Sequence, residues 1–162
     1  MIEGSPVQQP FRAYALPPKM AARAFPLVRL ANPSIEIRGW TDHVRGFAKM
    51  PRGTGGVIAI EDERGYIHCL FSWSAVRNLT YGKALRVSDL IIAHLPGRAE
   101  QEAVLAEIQR LANIVEAGAI VVEPGENVGG LPRNVLLADG YKPDGERFNM
   151  IRQTISSSEN QH

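Results

Sequence analysis

The sequence has 162 residues, of which 44% are apolar and 22% are charged. These values are typical of one globular domain, which buries roughly two-thirds of its unfolded surface and needs no disulfide or structural metal. The 18 basic and 17 acidic side chains give a formal net charge of +1, and they are too evenly spread for a nucleic-acid surface. No apolar run approaches the ~20 residues of a membrane span, residues 1–10 lack an export signal, and Cys69 is the single cysteine. We therefore expect a cytoplasmic protein that binds neither nucleic acid nor membrane.

The N-terminal third predicts one strand followed by two helices. Residues 11–16 alternate apolar with small or polar side chains, which favours a strand. Residues 19–32 predict a helix that Pro26 bends or divides, because proline removes a backbone donor. Apolar side chains at helical spacing predict a second helix over residues 39–50, with Thr41 or Asp42 near its start.

The period then changes to that of strands. Residues 57–60 and 66–73 flank a turn at residues 62–65 and predict an antiparallel hairpin. Residues 85–93 predict a further strand, which we expect beside the second strand of the hairpin.

The C-terminal part combines helices with short strands. A continuous apolar stripe predicts a long helix over residues 100–116. The apolar run at residues 119–122 is typical of a central strand reached by a crossover, so the sheet is expected to be mixed. Residues 131–139 predict another helix, and residues 147–154 predict a last strand.

The order of these elements, together with one C-terminal segment, resembles the GNAT family of acyl-CoA N-acyltransferases. The segment runs from Asn134 through Gly140 and Tyr141 to the strand Phe148 to Arg152. The resemblance covers residues 11–154 and implies an α+β, three-layer fold, in which helices flank a mixed, mostly antiparallel sheet. It implies a single domain over this range, with flexible termini at residues 1–10 and 155–162, and it allows a homodimer.

The resemblance also implies acetyl-CoA as co-substrate. In the family, backbone amides of a glycine-rich loop before the long helix hold the pyrophosphate, as helix N-termini hold anions in general. A degenerate form of that loop, His94 to Ala99, stands here. The residues that the resemblance assigns to the cofactor are Ile91, Ile92, His94, Gly97, Arg98, Ala99 and Asn127. The alternative is that the loop and Asn127 form ordinary turns.

Two carboxylates are candidates for the general base that an amine acyltransferase needs. Asp89 lies in the fourth predicted strand and Glu123 follows the fifth, where the sheet of this family opens into a cleft. Leu136 stands where many members carry the tyrosine that protonates the departing thiolate, and leucine cannot donate a proton. The resemblance therefore implies acetyl transfer to a small-molecule or peptide amine by direct attack, and the alternative is a catalytically inactive binding or regulatory module.

The remaining candidates have structural interpretations. His68 and Cys69 are adjacent, so on a strand their side chains point to opposite faces and do not form a catalytic pair. The four histidines show no metal-ligand spacing, which predicts that the protein binds no metal. Several aromatic side chains either line an acceptor pocket or belong to the core; they are Trp40, Phe47, Phe71, Trp73 and Tyr81. Tyr81 and Tyr141 are expected to be packing residues, and an unrelated α+β domain without activity is the third hypothesis.

Overall fold

A computed structural model describes residues 10–93, 98–123, 131–145 and 147–152. Seven strands form one sheet in the order β1-β2-β3-β4-β5-β7-β6. The strands are β1 Phe11–Ala15, β2 Gly55–Asp62, β3 Ile67–Asn78, β4 Gly82–Ile92, β5 Ala119–Val122, β6 Lys142–Asp144 and β7 Arg147–Ile151. Only β4 and β5 pair in parallel, and the other neighbouring strands pair antiparallel. The predicted mixed, mostly antiparallel sheet is therefore confirmed.

Four α-helices flank this sheet in the described part of the chain. They are α1 Ala21–Ala31, which follows a 3-10 turn at Pro18–Met20, α2 Ile37–Ala48, α3 Ala99–Ile114 and α4 Arg133–Ala138. None of the helices in the described ranges is both long and apolar enough to cross a lipid bilayer.

The structure differs from the predicted elements in three details. Helix α1 continues through Pro26, so the proline does not divide it; one missing backbone donor is offset by the buried face that α1 packs on the sheet. Helix α2 begins at Ile37, two residues before the predicted start, and Glu36 occupies the N-cap position with an extended backbone. Strand β6 was not predicted, because its three exposed residues carry no apolar alternation.

Two apolar cores lie on the two faces of the sheet and account for its three layers. Alternate residues of β2 divide between them: Ala59 packs under α1 and α2, whereas Ile58 and Ile60 face the opposite core. Trp40 on α2 belongs to the first core, and Ile108 on α3 belongs to the second. The period-2 alternation of the strands thus covers both faces of one sheet.

Strand β4 carries an irregularity that shapes the centre of the sheet. Leu70 pairs with Ile91 and Ser72 pairs with Ser88, so one residue of β3, between Leu70 and Ser72, lies opposite two residues of β4. The first of these two is Asp89, whose φ of 55° lies in the left-handed region. A β-bulge of this kind bends a strand and increases its local twist.

Candidate functional site

The pairing of β4 with β5 ends immediately before this bulge. It covers Ala84 to Val87 on β4, and beyond it the Glu123 amide donates a hydrogen bond to the Val87 carbonyl at 2.9 Å. Strand β4 continues to Ile92 alongside β3, whereas β5 ends at Val122. Beyond Val87 the backbone edge of β4 on the side of β5 therefore has no strand partner within the described residues. We refer to this open edge, residues 88–92 of β4, as the cleft.

A histidine, a serine and a carboxylate meet at the mouth of this cleft. Nε2 of His43, on α2, lies 2.9 Å from Oγ of Ser72 on β3 and 3.3 Å from Oδ2 of Asp89. Ser72 is wholly buried, whereas 34% of the His43 side chain and 50% of the Asp89 side chain are exposed. The His43 hydrogen bond is the main reason that the pKa of Asp89 is lowered, and a hydrogen bond from Ser72 acts in the same direction, against the effect of partial burial.

Two aromatic rings fix the position of the His43 imidazole. The Trp40 ring stacks on it at a centroid distance of 5.8 Å, and the Phe47 ring meets it edge-on at 5.0 Å. All three side chains lie on α2 at spacings of three, four and seven residues, which bring them to one face of the helix. The ring is thus held by its neighbours on the helix as well as by its polar partners on the sheet.

Glu123, the other predicted carboxylate, has a different environment. Its Oε1 lies 2.8 Å from Nε of Arg86, and its Oε2 accepts a hydrogen bond from Nη2 at 3.0 Å. This is the two-point geometry that arginine and carboxylate groups favour. Glu123 is therefore paired with Arg86 of β4, whereas Asp89 is paired with His43 of α2.

A groove of about 250 Å³ lies between α3 and α4. Arg98 caps the N-terminus of α3, and Ala99 is the first residue of that helix. The walls combine charged, amide and apolar side chains, namely Arg98, Gln101, Glu102, Leu105, Asn134, Val135, Ala138 and Asp139. Burial raises the pKa of Asp139 above its usual range. Such an amphipathic groove suits a long ligand that carries amides and an anionic end.

Comparison with solved structures identifies this architecture. A spermidine N-acetyltransferase from Vibrio cholerae, crystallised with CoA and spermine, matches with a TM-score of 0.65 at 11% identity, over 89% of this chain and 96% of that chain. A GNAT-family acetyltransferase from Streptococcus pneumoniae matches with a TM-score of 0.62 at 9% identity, over 88% and 99%. The protein has the GNAT fold. Glucosamine-6-phosphate N-acetyltransferase from Arabidopsis thaliana also matches, with a TM-score of 0.59 at 14% identity, over 72% and 83%. No family model matches the sequence, and no curated protein matches it significantly.

The predicted cofactor residues of this GNAT fold are only partly within the described chain. Ile91 and Ile92 lie on β4 beyond the bulge, where they pair with Leu70 and Cys69 of β3. Three others, His94, Gly97 and Asn127, lie outside the described residues, and their assignment to the cofactor stays a prediction.

Leu136, which stands where the resemblance leads one to expect a tyrosine, belongs to the apolar core. Leu136 is 2% exposed and packs with the residues under α3. Tyr141 is buried in the same core, and its hydroxyl has no hydrogen-bond partner among the described residues. Burial raises the pKa of Tyr141, which makes the phenol a poorer acid. Leu136 and Tyr141 therefore offer no proton donor to a leaving thiolate, and Tyr141 is a packing residue as predicted.

Most of the aromatic candidates also belong to the core. Trp40, Phe71 and Trp73 are buried, and Phe47 packs partly buried beside His43. His43 was not predicted as a site residue. Its partner Ser72 lies 29 residues further along the chain, so no local spacing in the sequence relates the two.

Proposed function

We propose that the protein is an acyl-CoA-dependent N-acyltransferase, which transfers an acetyl group from acetyl-CoA to a small-molecule or peptide amine by direct attack. One observation carries this proposal: β4 leaves β5 at the bulge of Asp89, so that an open strand edge and a carboxylate share one cleft. The GNAT fold supports it, because solved neighbours with this fold are N-acetyltransferases.

The open edge of β4 suits the pantetheine arm of CoA. An extended, amide-containing chain can pair with an exposed strand edge through main-chain hydrogen bonds. The edge beyond Val87, which includes Ile91 and Ile92, offers such groups. The groove between α3 and α4 continues from the start of α3, where the Arg98 guanidinium can attract the phosphates. On this proposal His94, Gly97, Ala99 and Asn127 complete the cofactor contacts.

The chemistry requires a base more than an acid. An alkylammonium ion must lose a proton before its nitrogen attacks the thioester carbonyl. Asp89, half exposed beside the cleft, provides a carboxylate that attracts the ammonium group, while the Glu123 carboxylate is already paired with Arg86. The leaving thiolate needs no protein acid, because thiols titrate at about 8.5 and a thiolate is stable in water near that pH. The leucine at position 136 is compatible with turnover for this reason.

Titration calorimetry of CoA and acetyl-CoA tests the cofactor site directly. Arg98→Glu replaces a cation with an anion beside the groove, and we expect roughly 5- to 30-fold weaker binding, from about 1–2 kcal/mol for reversing one exposed charge contact. The matched control is Arg38→Glu, because Arg38 is exposed on α2, on the other face of the sheet. Equal CoA affinity of the two variants would contradict the assignment of CoA to this groove. Absence of CoA binding by the wild-type protein would contradict the proposed function.

A second candidate function, a CoA-binding module without catalysis, is favoured by Leu136 alone. Both candidates predict CoA binding, so turnover separates them. Wild-type protein is incubated with acetyl-CoA and each of three amines, spermidine, glucosamine 6-phosphate and an aminoglycoside, which represent acceptors named for fold neighbours. Release of free thiol with any amine supports the transferase, whereas CoA binding without release from this panel supports the module.

A further inference from the structure

We propose that His43 is the group that accepts the proton of the acceptor amine, and that Asp89 and Ser72 are positioning residues that hold its ring for this purpose. The inference rests on the proposed N-acyltransferase function and names its general base. It differs from the sequence-based expectation, in which Asp89 or Glu123 is the base.

The arrangement of the three side chains determines which ring nitrogen is basic. Both Ser72 Oγ and Asp89 Oδ2 lie within reach of the same atom, Nε2 of His43. A carboxylate accepts hydrogen bonds, so Nε2 of the neutral ring carries the proton, and Nδ1 carries the lone pair. When Nδ1 takes a second proton, the resulting imidazolium stays paired with the Asp89 carboxylate.

The same geometry argues against a nucleophilic serine. In a Ser-His-Asp triad the serine and the carboxylate contact different ring nitrogens, so that the carboxylate supports the nitrogen opposite the nucleophile. Here both contact Nε2, and Ser72 is wholly buried. The hydroxyl of Ser72 therefore orients the ring and is not itself acylated.

The surroundings favour His43 over Asp89 as the base. The hydrogen bond from His43 lowers the pKa of Asp89, which makes that carboxylate a weaker base. Histidine is the side chain that most often serves as a general base in enzymes. Among the described residues of the sheet and helices around it, Asp89 is the only acidic side chain within 4.0 Å of the His43 ring. One-third of the His43 side chain is exposed, so an amine can approach it.

The proton balance of the reaction is complete with this assignment. The ammonium form of the amine gives one proton to Nδ1 of His43, which later releases it to solvent. The neutral nitrogen attacks the thioester carbonyl carbon; a C–N bond forms and the C–S bond breaks. The second proton leaves the nitrogen and reaches the departing sulfur through water, so that the products are the amide and the free CoA thiol.

Chemical rescue distinguishes a proton acceptor from a structural residue. We expect His43→Ala to lower kcat/KM by about 100-fold or more, with CoA affinity unchanged and with activity restored in proportion to added imidazole. The matched control is His68→Ala, because His68 also pairs with an aspartate, Asp62, at 2.7 Å. The His68 ring, however, contacts Phe11 on the edge strand β1. We expect near wild-type turnover from this variant and no response to imidazole.

A second variant keeps the test valid if the alanine does not fold. His43→Gln retains a planar polar side chain between Trp40 and Phe47 but cannot accept a proton at neutral pH. Its kcat/KM, measured with the best amine of the panel, is expected to fall as far as that of His43→Ala. Turnover by either folded variant at the wild-type rate, or a His43→Ala defect that imidazole does not rescue, overturns the role of His43. Absence of CoA binding and turnover in the wild type instead overturns the proposed function.

Discussion

Residue 89 provides a test of the bulge on which the cleft depends. Asp89 has a φ of 55°, a left-handed conformation that costs most L-residues roughly 1–2 kcal/mol and that aspartate and asparagine tolerate better. Three substitutions separate this backbone requirement from the carboxylate: Asp89→Ala, Asp89→Gly and Asp89→Asn. Each removes the negative charge beside His43, but only alanine is poorly suited to the backbone.

The expected magnitudes follow from these two contributions. Half of the Asp89 side chain is exposed, so loss of its polar contact with His43 costs at most about 1 kcal/mol. Asp89→Asn is therefore expected to lower the free energy of unfolding by less than about 1 kcal/mol. Asp89→Ala adds the backbone cost and is expected to lose about 1–2 kcal/mol. Asp89→Gly adopts positive φ readily and is expected to be about 1 kcal/mol more stable than the alanine variant.

Urea denaturation, followed by far-UV circular dichroism, measures these differences. The order of stability expected is asparagine and glycine above alanine, with unchanged m-values. The asparagine variant also keeps the shape of the cleft, so its loss of turnover reports on the carboxylate. If alanine proves as stable as glycine at position 89, the backbone there is not left-handed. The bulge, and with it the argument for the cleft, would then be refuted.

Two further predictions concern packing around the same sheet. In Gly118→Ala the new Cβ would lie 2.9 Å from the Tyr81 carbonyl oxygen, and we expect a loss of about 1–3 kcal/mol. The matched change Gly46→Ala, in an exposed turn of α2 with nothing within 4 Å, is expected to gain up to about 1 kcal/mol; equal urea midpoints would contradict both. Cys69 is fully buried, and burial raises its pKa to about 12. We expect a thiol reagent to label it at pH 8 only at the rate of unfolding, and rapid labelling of native protein would contradict that burial.

Much of the fold could be predicted because several elements carry complete local signals. The apolar stripe and the following glycine predicted α3 within two residues at each end, since helical period and stop signal agree. The apolar run of β5 had the same bounds in prediction and structure, because turn residues flank it. The start of α2 lies two residues before its predicted position, since its N-cap is Glu36, a residue type that sequence patterns rarely assign to that position.

The candidate site was predictable only in part, because its residues are brought together by tertiary structure. Asp89 and Glu123 could be identified as strand-end carboxylates, but nothing in the sequence distinguishes their partners. Arg86 is one of many arginines, and His43 lies on a predicted helix whose rotation about its axis depends on how Trp40 packs. The difference between an arginine-paired and a histidine-paired carboxylate therefore appears only in three dimensions.

The bulge also accounts for the position of the polar site, His43, Ser72 and Asp89, beside the open strand edge. A strand that stayed regular would place residues 88 and 89 on opposite faces of the sheet. The parallel pairing ends directly before the extra residue, and the bulge turns the Asp89 carboxylate toward the α2 face, where His43 and Ser72 meet it. One local change in backbone conformation thus creates both an open strand edge and a polar site beside it. Substitutions that remove the left-handed backbone should therefore impair CoA binding and proton transfer together, whereas substitutions of His43 should impair proton transfer alone.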